Sequence, residues 1–176
     1  MLSRTLLARL EARDHALFAR WALAGRPRSR IARAGWVAVT HLGGLTASVA
    51  AAALPLLWRG SVRDAAARAL IGLALSHLVV QLVKRVVARR RPSRTVRCEA
   101  LVTEPPCFSF PSGHAAAAMS VAFAYAVAFP VLALPLLAAG VAVGISRVRL
   151  GVHFPGDVLA GQMIAVATDL LVLAWR

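Results

Sequence analysis

The sequence predicts an all-α fold: a polytopic membrane helical bundle of about five transmembrane helices, preceded by an amphipathic helix. Three observations carry that expectation. The 176 residues are 59% hydrophobic with a mean hydropathy of +0.69, too apolar for an ordinary soluble domain. Only 16% are charged, and several uncharged stretches approach the roughly 20 residues that a bilayer crossing takes. The unusual polar residues fall at the ends of those stretches. A chain of this length allows one compact helical domain.

The net charge is +14, from 21 Lys+Arg against 7 Asp+Glu. In a membrane protein such an excess reads as headgroup anchoring and orientation. Nucleic acid is not an expected partner, because no aromatic-basic interleaving accompanies the charge.

Residues 1–30 place Leu2, Leu6, Leu7, Leu10, Leu17 and Trp21 mostly at three-four spacing among Arg4, Arg9, Arg13, Asp14 and Arg20. That is an amphipathic interfacial helix, too charged to span and without a signal-peptide core or cleavage pattern. Gly25-Arg26-Pro27-Arg28 closes it as a linker. The chain thus divides into this segment, 1–30, and a transmembrane domain, 31–176. The first expected span covers 35–58, with Thr40, His41 and Gly43-Gly44 as its unusual members and Trp58 at the far interface. His41 reads as a packing or interfacial residue. The second covers 62–87 and carries His77, Gln81 and Lys84 on one stripe. His77 and Gln81 either bond between helices or support a site beyond Lys84.

Residues 85–110, rich in Arg, Pro and Cys, read as a lid-like or headgroup-facing loop. A bridge between Cys98 and Cys107 would add about 2–3 kcal/mol, on an oxidising face only. Both the bridged and the reduced states fit the sequence. The third span, 112–129, follows Pro111, and Pro130 and Pro135 interrupt the run before the fourth, 131–145. Gly140 and Gly144 suit close helix approach there. The fifth, 155–175, opens at Pro155-Gly156 and carries Asp169 near its end, expected to pair with Arg59, Arg63 or Arg68.

Five spans bring three polar clusters to one membrane face. Lys84-x6-Arg91-Pro92 supplies two cations about two helical turns apart, with Pro92 stopping the helix. Pro111-Ser112-Gly113-His114 opens a helix whose free N–H groups and dipole suit phosphate, and Gly113 allows close backbone approach. In Arg147-x5-His153-x3-Asp157 a carboxylate one turn into a helix can hold one imidazole nitrogen and leave the other reactive. Arg147 adds a fixed cation.

Together these three clusters, over roughly residues 62–175, resemble the type 2 phosphatidic acid phosphatase superfamily, membrane lipid phosphatases related to acid phosphatases and vanadium haloperoxidases. No signature residue is missing, although many membrane members have six spans. The resemblance implies that His153 is the nucleophile, forming a phosphohistidine, and that Asp157 orients its ring. It implies that His114 is the acid for the leaving oxygen and then the base for water. Lys84, Arg91, Ser112, Gly113 and Arg147 then bind the phosphoryl oxygens, with no metal and no cofactor required.

The expected activity is hydrolysis of the terminal phosphate of a lipid phosphate in a bacterial plasma membrane. A polyprenyl diphosphate or polyprenyl-phosphoryl sugar phosphate is the first choice of substrate, and phosphatidate or phosphatidylglycerol phosphate the second. The expected partners are that lipid and the membrane, with a homo-oligomer allowed. A non-catalytic lipid carrier or scaffold is the reading of another class, and the intact His114, His153 and Asp157 argue against it. The membrane spans argue against a haloperoxidase. Most Lys and Arg lie on the site's face, which favours a cytoplasmic site. A Cys98–Cys107 bridge would favour the outer one.

Overall fold

A computed structural model describes residues 2–25, 27, 29–96, 98–104 and 108–175. Helix α1 (Leu2–Phe18) runs into a single π-turn at Ala19–Leu23. Then come α2 (Arg30–His41) and α3 (Leu45–Ala53), α3 tightening into a 3-10 turn at Leu54–Leu57. Helix α4 (Ser61–Val87) is the longest, and a short α5 (Pro92–Thr95) follows. Helices α6 (Gly113–Ala128), α7 (Ala133–Arg149) and α8 (Pro155–Ala174) complete the bundle.

Helix α6 sits at the centre, packed against α4, α7 and α8. Its sequence explains the position. Ala115, Ala116, Ala118, Ala122, Ala124 and Ala126 are all buried, and such small side chains let neighbouring backbones come close. The approach is tightest at Gly161 of α8, where an added Cβ would collide with the Ser112 carbonyl oxygen. This contact fixes the start of α6 against α8.

Among the described residues, three helical stretches are long and apolar enough to cross a membrane: Ser61–Thr95, Pro130–Arg149 and Pro155–Ala174. The expected first span is not one straight helix. Helices α2 and α3 meet at 49°, and together they make a fourth candidate crossing. At that break Gly43 lies against the His114 backbone. Helix α6, with 16 residues, is only about 24 Å long.

Other expectations need correction. Pro92 does not stop α4. That helix ends at Val87, because Ala88 turns left-handed at φ 50°, and Pro92 instead opens α5. Arg91 is therefore the N-cap residue of α5 and not a residue two turns along α4. The fourth helix runs on to Arg149, so Arg147 lies in its last turn. Asp169 accepts from Ser120 Oγ at 3.2 Å, with no arginine partner among the described residues. His77 is exposed and pairs within its own helix with Gln81 at 3.1 Å. Cys107 lies outside the described residues.

Candidate active site

The turn after α7 sets the nucleophile candidate. Gly151 takes φ 78°, a conformation favoured by glycine, and the Val152 amide folds back onto the Arg147 carbonyl at 3.1 Å. This throws His153 inward, where it is 2% exposed. Its Nδ1 lies 3.5 Å from Asp157 Oδ2 and its Nε2 3.4 Å from Arg91 Nη1. Arginine only donates, so the Arg91 contact leaves Nε2 unprotonated and puts the ring proton on Nδ1, facing the carboxylate. Burial, helped by the charges of Arg147 and Arg91, lowers the His153 pKa to about 4, against the pull of Asp157. The imidazole is therefore neutral near pH 7, with a lone pair beside a cation.

Two of the cations, Lys84 and Arg91, converge on one carbonyl oxygen. Lys84, in the last turn of α4, donates to the Phe108 carbonyl at 2.9 Å, and Arg91 reaches that oxygen at 3.3 Å. Arg91 also donates to the Val152 carbonyl at 3.0 Å. Arg147 is 2% exposed and donates to Thr40 Oγ1 at 2.8 Å, while its Nε has no hydrogen-bond partner among the described residues. Its charge is felt by Arg91 and Glu104. Two buried guanidiniums this close repel each other, and a bound anion would relieve that repulsion.

Ser112 caps α6, accepting from the Ala115 amide, and its own amide donates to the Asp157 carbonyl at 2.9 Å. Gly113 starts the helix, so its N-terminal dipole points at the cation cluster. His114 follows, and the charges acting on it are those of Arg147, His153, His41 and Arg91. His41, expected to be a packing or interfacial residue, is exposed at the end of α2 and acts on His114. All eight residues singled out from the sequence thus lie at one end of the bundle.

Four contacting residues were not singled out for the site. Asp157 is fully buried and accepts from Ser109 Oγ, from the Phe154 amide at 2.9 Å and from Arg89 Nη1 at 2.7 Å. Arg89 also binds Asp14 of α1 at 2.7 Å. Thr40 holds Arg147. Thr40 was noticed only as a polar residue within an apolar run. Asp14 carried one available signal: a carboxylate inside an arginine-rich helix in a chain with only 7 acidic residues.

A carboxylate-held histidine with Arg91 and Arg147 acting on it, set at one end of a bundle of apolar helices, is the arrangement expected of a membrane phosphatase of phosphate-bearing lipids. Residues 65–176 match the family model described as the PAP2 superfamily, and the chain belongs to that family. It is 38% identical over 145 residues to a decaprenylphosphoryl-5-phosphoribose phosphatase of Mycolicibacterium smegmatis, covering 80% of this chain and 75% of that one. The fold matches Aquifex aeolicus LpxE with a TM-score of 0.80 at 21% identity, over 91% of this chain and 94% of that one. It matches the transmembrane PAP2-type phosphatidylglycerolphosphate phosphatase of Bacillus subtilis with a TM-score of 0.74 at 26% identity, over 94% and 85%. The protein is an integral membrane lipid phosphatase.

Proposed function

We propose that the protein removes the terminal phosphate of a polyprenyl-linked lipid, either a polyprenyl diphosphate or a polyprenyl-phosphoryl sugar phosphate. The observation that carries the chemistry is His153, with Nδ1 turned to Asp157 and Nε2 turned to Arg91. His153 Nε2 attacks phosphorus in line as the bond to the leaving oxygen breaks. His114 protonates that oxygen, giving the polyprenyl monophosphate or the polyprenyl-phosphoryl sugar, and a phosphohistidine. His114 then takes a proton from water, whose oxygen attacks phosphorus and frees His153 and inorganic phosphate. Lys84, Arg91, Arg147, Ser112 and the Gly113 amide hold the phosphoryl oxygens. Phosphoryl transfer needs chiefly this positioning and charge stabilisation.

The similarity to the mycolicibacterial phosphatase supports a polyprenyl-phosphoryl sugar phosphate. An apolar groove of about 970 Å³, lined by Leu10, Leu17, Trp21, Val141, Ile145 and Leu159, opens beside Arg89 and Phe110 and could take a lipid chain. Residues 31–176 form the phosphatase domain in this reading, and residues 1–30 lie at headgroup level. The membrane is a bacterial plasma membrane, and the basic excess on the site's face supports a cytoplasmic orientation.

The test is phosphate release by the purified protein in micelles containing a chelator. The substrates are a polyprenyl diphosphate, a polyprenyl-phosphoryl pentose phosphate, phosphatidate and phosphatidylglycerol phosphate. The expected result is the highest kcat/KM on a polyprenyl-linked substrate. Faster turnover of phosphatidate would overturn the substrate assignment. Acid quenching should trap labelled phosphate on the wild type and none on His153→Ala. A labelled His153→Ala protein would overturn the mechanism.

A further inference from the structure

The matched family region begins at residue 65, yet helix α1, far upstream, is linked through Arg89 to the carboxylate that faces His153. Arg89 Nη1 stands between two carboxylates, 2.7 Å from Asp157 Oδ1 and 2.7 Å from Asp14 Oδ2. The second Asp14 oxygen accepts from the Gly156 amide at 2.7 Å, in the first turn of α8. Phe154, next to His153, is held by the same elements. The Arg89 guanidinium lies 4.2 Å from its ring centroid, and the His15 ring stacks on it at 4.7 Å. Phe18, fully buried, packs on it at 5.1 Å. Asp14 is itself mostly buried, with a side chain 12% exposed.

Charge balance gives this arrangement a consequence. Asp157 and Arg89 alone sum to zero, so an arginine devoted wholly to Asp157 would weaken the field that the carboxylate exerts on the imidazole. Asp14 takes a share of Arg89 and brings the three groups to a net −1. That charge balances the positive charge His153 acquires when Nε2 bonds to phosphorus. We propose that Asp14 is a positioning residue for phosphoryl transfer: by sharing Arg89 it keeps the negative charge of Asp157 available to His153. The N-terminal helix is then a working part of the phosphatase. This inference rests on the roles given above to His153 and Asp157.

Asp14→Asn removes the charge while keeping an oxygen for the Gly156 amide. The measurement is kcat and KM of the full chain in mixed micelles for wild type, Asp14→Asn and Asp14→Glu. Asp14→Asn is also placed in an Arg89→Ala background, with His153→Ala as the control. The expected result is a drop of about tenfold in kcat for Asp14→Asn with KM within about twofold, the pattern of an interaction made in the transition state. Asp14→Glu should recover most of the loss. In the Arg89→Ala background Asp14→Asn should have no further effect, since its action passes through Arg89. Unchanged kcat in Asp14→Asn, or an equal fall in both backgrounds, would overturn the proposal. An active His153→Ala would sink the underlying mechanism instead, so the two failures are distinguishable.

Discussion

His153 carries a prediction that its surroundings fix. An ordinary histidine is half protonated near pH 6.5. Burial, with Arg147 and Arg91 nearby, lowers this one to about 4. Protonation removes the Nε2 lone pair, so the contribution of His153 is lost as the pH drops through the folded value, which sets the acid limb alone. The acid limb of kcat/KM, corrected for the separately measured ionisation of the substrate, should bend near pH 4. A bend at 6 to 7 would show a solvated imidazole and contradict the buried geometry. The residues of the site differ in how far the sequence reveals them. His153, Asp157 and Arg147 were legible because they act across one turn and one helix end, so their spacing carries their geometry. Arg89 and Asp14 were not, because 75 positions separate them and only folding brings them within 2.7 Å. Thr40 and Arg147, 107 positions apart, illustrate the same limit. Local spacing reports local geometry, whereas a long-range pair of polar groups leaves no periodic trace.

Helix α6 depends on what it lacks. Its alanines allow α4, α7 and α8 to close around it, and Gly161 of α8 lets the Ser112 carbonyl sit against the helix backbone. Adding a Cβ at Gly161 forces backbone to move, because the obstructing atom is a carbonyl oxygen and not a flexible side-chain end. Gly161→Ala should destabilise the bundle by about 1–3 kcal/mol, the usual range for overpacking. It should also raise KM, since the displaced group is the N-terminus that faces phosphate. Thermal unfolding in detergent and steady-state kinetics measure the two effects. A variant with unchanged melting and KM would show that the α6–α8 contact tolerates a methyl group. The ends of α6 and α8 were readable from Pro111, Ser112 and Pro155, whose chemistry starts helices. The break between α2 and α3 falls at Gly43-Gly44, which the expected first span ran through. Only the approach of Gly43 to His114 shows why the chain bends there.

The bundle has two unlike ends. At one end lie the site, the N-terminal helix and the arginine-rich α4–α6 connection. At the other, Trp58 and Trp175 flank the start of α4 and the end of α8, both largely exposed. Aromatic residues of this kind settle at a bilayer interface, and the leaflet beside cytoplasm collects the excess of Lys and Arg. Both features follow from the distribution of residue types along the chain, which is why the membrane class and the shared face of the clusters were legible early. Depth and tilt were not, because α2–α3 and the short α6 depart from simple full-length crossings. Arg94 is exposed in the connection beside the site, so it reports that end of the bundle. With Cys98 and Cys107 replaced, Arg94→Cys should resist a membrane-impermeant thiol reagent added to intact cells and react in inverted vesicles. Labelling from outside intact cells would place the site on the outer face. The substrate would then be a lipid whose phosphate is presented outside the cell, and the basic excess would have to be explained without the orientation rule.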